Sequence, residues 1–371
     1  MWPIPLLSDK NLSVDIFDKR SLKLDLGKEK DVILNKNGSG HFVVNYTDKE
    51  TKNNIKQKII KREIDSDGRI NALNDMLLLN QKGEYSLADI IDIVDECDQE
   101  PREAVWSMFS RAIGFASLLT EGDKTTESQI KKLKSKLSQY WFSELGWNDK
   151  EDDDPNTKLL RRVALALSIG GENKQALADA LGKFDKAESI EELPAEQRSL
   201  IAGAAIRFSE RKQEIAEKLM EEYEKSTNPD VQHSIASALC STKDAKIAEK
   251  IISWGLNKNG AVRAQDLTRW YVGLIRNRHV RDLAWQWLVS VWDERYEELG
   301  GPKTLPYFIR YSASSITTED RATEFKKFFD SKSNDTGLAR DIKVAYSTIE
   351  SQINWRKREE PKLKKYLQKY S

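Results

Sequence analysis

Cysteine is nearly absent from this chain of 371 residues, with only Cys97 and Cys240 present and far apart. Such a pair frames neither a disulfide scaffold nor a cysteine zinc site, and a reduced, cytoplasmic setting is the expectation. Histidine is almost as scarce. The three present, His41, His233 and His279, form no His-Glu-x-x-His pattern and have no partner at metal-ligand spacing. His233 falls on the side of its helix away from Val231, toward solvent, and His41 follows a turn beside a strand. No run approaches the roughly 18 apolar residues of a membrane span. "MWPIPLLSDK" lacks the charged start and apolar core of a signal peptide. Charge of one sign is missing too: 60 Lys and Arg balance 60 Asp and Glu, which argues against nucleic acid or an anionic membrane as a partner.

Catalytic signatures are also lacking. "NGSG" at 37–40 has neither the preceding strand, the following helix nor the lysine of a phosphate-binding loop, and no Gly-x-Ser-x-Gly elbow occurs. Cys97 stands in "DECDQE", where carboxylates raise a thiol's pKa and suppress the thiolate. "IKKLKSK" at 130–136 alternates lysines with apolar residues, as an ordinary amphipathic helix does. The chain alone is therefore expected to be no enzyme and to hold no metal or cofactor.

What is present is mostly helix. The length suits two domains at roughly 150 residues each. The first expected domain, 1–54, is β: "SVDIF" and "SLKLDL" alternate apolar and polar residues, with Leu22, Leu24 and Leu26 on one face, and "HFVVNY" follows the "NGSG" turn. From about residue 55 helical grammar takes over. In "DDDPNTKLLRRVALALSIGG" Asp154 can cap, Pro155 suits the first turn, Leu160, Val163, Ala164 and Leu167 form a stripe, and Gly170–Gly171 close the helix. "TNPDVQHSIASAL" repeats the pattern with Asn228 and Pro229, and "TTEDRATEFKKFF" opens on a capping box from Thr317 to Asp320. Roughly fifteen helices separated by short turns predict a HEAT/armadillo-like α-α superhelix over 55–371, mainly α, preceded by a small partial β-sandwich.

Several stretches, in order, resemble the C-terminal half of the zinc aminopeptidases of the aminopeptidase N and puromycin-sensitive family. They are "WPIPL" at 2–6, "NKNGSGHFVVNYTD" at 35–48, "IDSDGRINALNDMLLL" from 64, "ELGW…DPNTKLLRRVAL" at 144–165, "VRAQDL" at 262–267, "RDLAWQWLVSVWDE" at 281–294, and an ending on Glu350, Ile353, Asn354 and Trp355. Two departures are the His41–Phe42 pair, where the family has two aromatics, and the glycine inserted at Asp67-Gly68-Arg69. The resemblance implies a β-sandwich followed by a helical domain that closes over an active site. It also implies that zinc and its ligands lie in an upstream catalytic domain outside this sequence. "WPIPL" starting at once in mid-sheet fits a fragment of such a peptidase. The implied partners are the catalytic and N-terminal domains of the same polypeptide and peptide substrates, with no nucleic acid and no membrane, and a monomer as the expected state.

The stretch "VRAQDLTRWYVGLIRNRHVRDLAWQWL" supplies the candidate substrate-groove residues, Arg263, Asp266 and Arg269, at spacings of three. A guanidinium here could hold a peptide's C-terminal carboxylate through paired hydrogen bonds. The plainer reading is an Arg–Asp network tying helices together, with Trp285 and Leu288 in the core. Two functions follow. One is a non-catalytic region of a zinc aminopeptidase that encloses the active-site chamber and selects peptides. The other is a stand-alone helical-repeat scaffold that binds a protein.

Overall fold

The structure is a computed structural model that describes residues 2–24, 26 and 32–371. Among them β1 (Ile4–Pro5) pairs antiparallel with β2 (Ile16–Phe17), with Ile4 opposite Phe17, and a single bridge joins Ser8 to Leu34. The strand expected over 22–26 falls on irregular backbone, with Asp25 outside the described residues. The strand expected at 41–46 is irregular as well. Its backbone donor at Val44 is taken by a side chain, Asp75 Oδ2 at 2.9 Å, rather than by a neighbouring strand. The turn at 35–40 is real, with Asn35, Asn37 and Gly38 all at positive φ. Trp2, Leu7, Ile16 and Val43 are exposed around this short sheet.

The rest is helical, and the fold is mainly α. In chain order the helices are α1 (Lys49–Ile60), α2 (Ser66–Lys82), α3 (Leu87–Asp95), α4 (Glu103–Leu119), α5 (Lys124–Leu145), α6 (Pro155–Gly170), α7 (Lys174–Lys186) and α8 (Arg198–Phe208). They continue with α9 (Lys212–Lys225), α10 (Pro229–Leu239), α11 (Ala245–Ile251), α12 (Leu267–Arg276), α13 (Arg281–Val291), α14 (Gly301–Ala313), α15 (Glu319–Asp330) and α16 (Ala339–Leu367). Helix thus starts at Lys49, a few residues before the expected 55. Two compact units result: residues up to Ala164 with Trp355–Ser371, and Leu165–Asn354.

The caps follow the sequence closely. Thr157 N donates to Asp154 Oδ1 at 2.7 Å ahead of Pro155, and Asp230 N donates to Asn228 Oδ1 at 3.0 Å ahead of Pro229. One cap differs. α15 starts after Thr318, which makes no side-chain cap bond, so the N-cap falls one residue later than the expected Thr317. The first helical residue there is Glu319, whose charge together with that of Asp320 suits the positive end of the helix without a capping hydroxyl.

In the first unit buried polar residues pin the helices. Arg69 in α2 pairs with Glu100 at 2.7 Å and donates to the Ile64 carbonyl at 2.6 Å. Arg161 in α6 reaches Asp149 at 2.6 Å and Asp153 at 2.5 Å. Trp355 in α16 donates to Asn80 Oδ1 at 2.7 Å, and Glu359 accepts from Leu87 N at 2.7 Å. Arg69, Glu100, Arg161, Asn80, Trp355 and Glu359 are nearly water-free, where an unpaired charge would cost several kcal/mol.

Candidate functional site

In the second unit, α8 packs on α10 and α10 on α12. α8, α9 and α10 are joined by short turns, so alternate helices run in the same direction, and the C-terminal ends of α8, α10 and α12 lie side by side. Asn277, just past α12, fastens them: its Nδ2 donates to the carbonyls of Cys240 at 2.9 Å and Thr242 at 2.6 Å, just past α10. The approach of α10 to α12 depends on glycine. A Cβ on Gly273 would lie 2.8 Å from Cys240 Cβ and 2.9 Å from its sulfur. Burial pushes the Cys240 thiol up, so it is an inert packing group.

Over these helix ends opens a cavity of about 540 Å³. Its lining includes Arg207 from α8, Lys243 from the turn after α10, Arg269 and Arg276 along one face of α12, and Arg278 and His279 beyond it. Among the described residues no carboxylate lines it. The basic groups are partly anchored. Arg207 Nε donates to the Gly203 carbonyl at 2.8 Å, and its guanidinium lies 5.3 Å from the Phe208 ring. Lys243 Nζ lies 4.5 Å from the same ring and 3.4 Å from Glu172 Oε1. Arg276 lies 4.9 Å over the Tyr311 ring. Burial holds the Arg207 guanidinium below its ordinary pKa, opposed by the charge of Glu172. A desolvated guanidinium gains most from an incoming anion.

Part of this arrangement serves the helices themselves. Cations at helix C-termini offset a partial charge of about half an electron per helix, worth roughly 0.3–1 kcal/mol each. Arg207, Lys243, Arg276 and Arg278 lie at or just past those C-terminal ends, whereas Arg269 lies in the first turn of α12.

The three residues singled out in the sequence separate. Arg263 and Asp266 pair with each other at 2.9 Å in the turn before α12, outside the cavity. Arg269 alone of the three lines it, and among the described residues it enters no ion pair. Its neighbour Trp270 turns inward, 1% exposed, edge-on to Tyr223 at 5.4 Å and Trp254 at 5.8 Å. Trp285 and Leu288 are buried, as the plainer reading expected, and Trp285 Nε1 donates to Glu324 at 2.8 Å. Sequence reasoning missed Arg207, Lys243, Arg276 and Arg278. Their one signal is a basic residue closing every second helix, roughly 35 residues apart.

His41 is exposed, His233 half-buried and His279 exposed at the cavity. Among the described residues no three His, Cys, Asp or Glu side chains are grouped to hold a metal. Zinc therefore has no fitting ligand set in these residues, and no catalytic step is derived through it. Cys97 is pushed up to about 12, by burial first and then by Glu100. The carboxylates that the sequence pointed to are the lesser cause. Among the described residues no helix is long and apolar enough to cross a membrane.

Comparison with known proteins decides the family. The model of the ERAP1-like C-terminal domain matches residues 32–351, which is most of the chain. The chain belongs to this family. Across 95% of its length the ERAP1-like chain is 29% identical to aminopeptidase N of Lactobacillus helveticus and 26% identical to that of Lactococcus lactis subsp. lactis strain IL1403. Over 80% of its length it is 23% identical to the puromycin-sensitive aminopeptidase of Caenorhabditis elegans. It spans 42% of the length of each of the two bacterial relatives, and 31% of the nematode protein matches.

Proposed function

We propose that this chain is the non-catalytic C-terminal region of a zinc-dependent aminopeptidase, enclosing the active-site chamber and shaping which peptides enter it. The family match and the aminopeptidase relatives support the setting. The basic cavity supports the role, and it is the observation that carries the reading. An aminopeptidase substrate presents a positive amino end to the chemistry and a negative carboxylate at its far end. A cavity of guanidinium groups without carboxylates attracts that far end and repels the near one. In this reading the short sheet around β1 and β2 is part of a β-sandwich that joins the helical, HEAT-like region to the catalytic and N-terminal domains of the same polypeptide. Zinc and its ligands belong to that catalytic domain, and the whole enzyme is a cytoplasmic monomer. Arg269 and Arg276 are the residues that meet the peptide's carboxylate.

The test is binding of one fluorescent peptide to this chain in two forms, free acid and C-terminal amide, followed by anisotropy at low salt. The free acid should bind about tenfold more tightly, the effect of one charge-assisted pair at roughly 1.4 kcal/mol. Equal affinity for both forms would overturn the assignment of the cavity to the peptide's carboxyl end.

A further inference from the structure

Residues 32–46 form a strap that is bonded mostly to itself and to the short sheet. Asn35 Nδ2 donates to the carbonyls of Gly40 at 3.0 Å and Phe42 at 3.3 Å, and Leu34 N donates to the Tyr46 hydroxyl at 3.0 Å. The bridge from Leu34 to Ser8 and a bond from Lys36 N to the Leu7 carbonyl at 3.2 Å tie the strap to the sheet. Among the described bonds a single main-chain donor of the strap reaches α2. It is Val44 N, on Asp75 Oδ2 at 2.9 Å.

Asp75 is a costly acceptor. It is 4% exposed, and the cavity beside it measures about 20 Å³, room for about one water. Leu34, Val44 and Tyr46 wall that cavity from the strap, and Ile55, Met76 and Tyr85 from the helical side. An ionised carboxylate there exchanges its hydration shell for one N–H. Among the described residues no cation pairs with it. The cations on the surrounding helices are engaged elsewhere. On α1, Lys52 lies 4.2 Å over the Tyr85 ring and Lys56 pairs with Asp92. Arg69 of α2 pairs with Glu100, Arg111 of α4 donates to Asn74 at 3.2 Å, and Arg358 of α16 donates to the Asn80 carbonyl at 2.8 Å. Of the nearby acids, Asp9 accepts from Ile33 N at 2.7 Å, Glu84 accepts from Asn45 at 3.4 Å, and Asp48 caps α1. Tyr46 and Tyr85 face the same cavity. Burial pushes both hydroxyls up to about 12, so both stay neutral while Asp75 titrates.

We propose that Asp75 is a pH-operated latch, which as the neutral acid seats the strap on α2 and as the carboxylate lets the strap open locally while the helices stay folded. Burial sets the range, raising the carboxyl to about 6 in the seated strap against an ordinary value near 4 in the opened one. The seated state holds its proton more tightly, so it is favoured at low pH and loses ground between about pH 4 and pH 6. Above that range both states are ionised and the balance changes no further. Acidification thus closes the strap and fixes the short sheet to the first helices.

Hydrogen exchange at the Val44 amide, corrected for the intrinsic pH dependence of exchange, tests this in the full chain. Opening should rise about tenfold from pH 5 to pH 7 and little more by pH 8, as a carboxyl moved from about 4 to about 6 requires. Amides at the centre of α4, from Ala112 to Ala116, should not change. D75N should keep the protection seen at pH 5 throughout, and D75A, which lacks the acceptor, should leave Val44 open throughout. If D75A does not fold, D75N carries the comparison. Equal opening of Val44 at pH 5 and pH 7 in the parent chain would overturn the latch. So would a rise in D75N equal to the parent's, which would assign the titration to another group. An equal rise across α4 would show the whole unit opening, and would overturn the latch as well.

Discussion

At the scale of single residues, Arg269 and Arg263 make a sharp pair. Both are arginines on the same short stretch, yet Arg269 lines the cavity and Arg263 is spent on Asp266. R269Q should weaken binding of a free-acid peptide about five- to tenfold, read by anisotropy, because it removes a charge-assisted partner. R263Q should leave that affinity unchanged, since exposed ion pairs of this kind contribute about 0–1 kcal/mol and to stability alone. The candidate residues were legible in the sequence as types and not as a set. Helical spacing shows which residues share a face of one helix, but a site assembled from the ends of three helices leaves no local pattern. Arg207 and Lys243 escape any reading of a single helix for that reason. Asp75 offers a different test. Burial raises its carboxyl to about 6, although the Val44 N–H opposes the shift. The folded chain keeps this proton up to about pH 6, whereas the unfolded chain releases it near pH 4. Between these values the folded state binds more protons, so this group's contribution to stability falls as pH rises and is least favourable above pH 6. D75N has no charge to bury. It should be more stable than the parent chain by about 1–2 kcal/mol at pH 8, with the advantage gone by pH 4, as read from urea midpoints across pH. A pH-independent difference would contradict the buried, charged state of Asp75.

At the scale of elements, the helices were legible because their signals are local. Asp154 with Pro155 and Asn228 with Pro229 cap where expected, since an N-cap and a first-turn proline act within four residues. N228A should lower stability by about 1 kcal/mol in a urea titration through loss of the bond to Asp230 N. The strands were less legible. Alternation at 22–26 and 41–46 asks for a neighbouring strand, and the ladder partner lies outside any local window. At Val44 a side chain from α2 supplies the acceptor instead. Gly273 is an element-scale feature that composition hides. G273A should destabilise by about 1–3 kcal/mol in the same titration, since its methyl would press on Cys240 and force α10 and α12 apart.

At the scale of the whole molecule, the family resemblance was carried by motifs whose residues are mostly structural here. Arg69 is paired with Glu100, Asp75 accepts from Val44, Arg161 bridges two aspartates, and Trp355 donates to Asn80. Such motifs identify a fold well because buried polar residues tolerate few replacements, and for the same reason they say little about substrate. Function has to be sought in the cavity of the second unit, which none of the quoted motifs lines. The central claim, that this chain governs peptide access for an aminopeptidase, is tested most directly by activity. The upstream catalytic portion, expressed separately, would be assayed on leucine-starting peptides of increasing length, with and without this chain added in excess. Addition should change the dependence of hydrolysis on length, and the R269Q/R276Q variant should restore part of the original profile for free-acid peptides. An unchanged length profile, with the two parts shown to associate, would contradict the account.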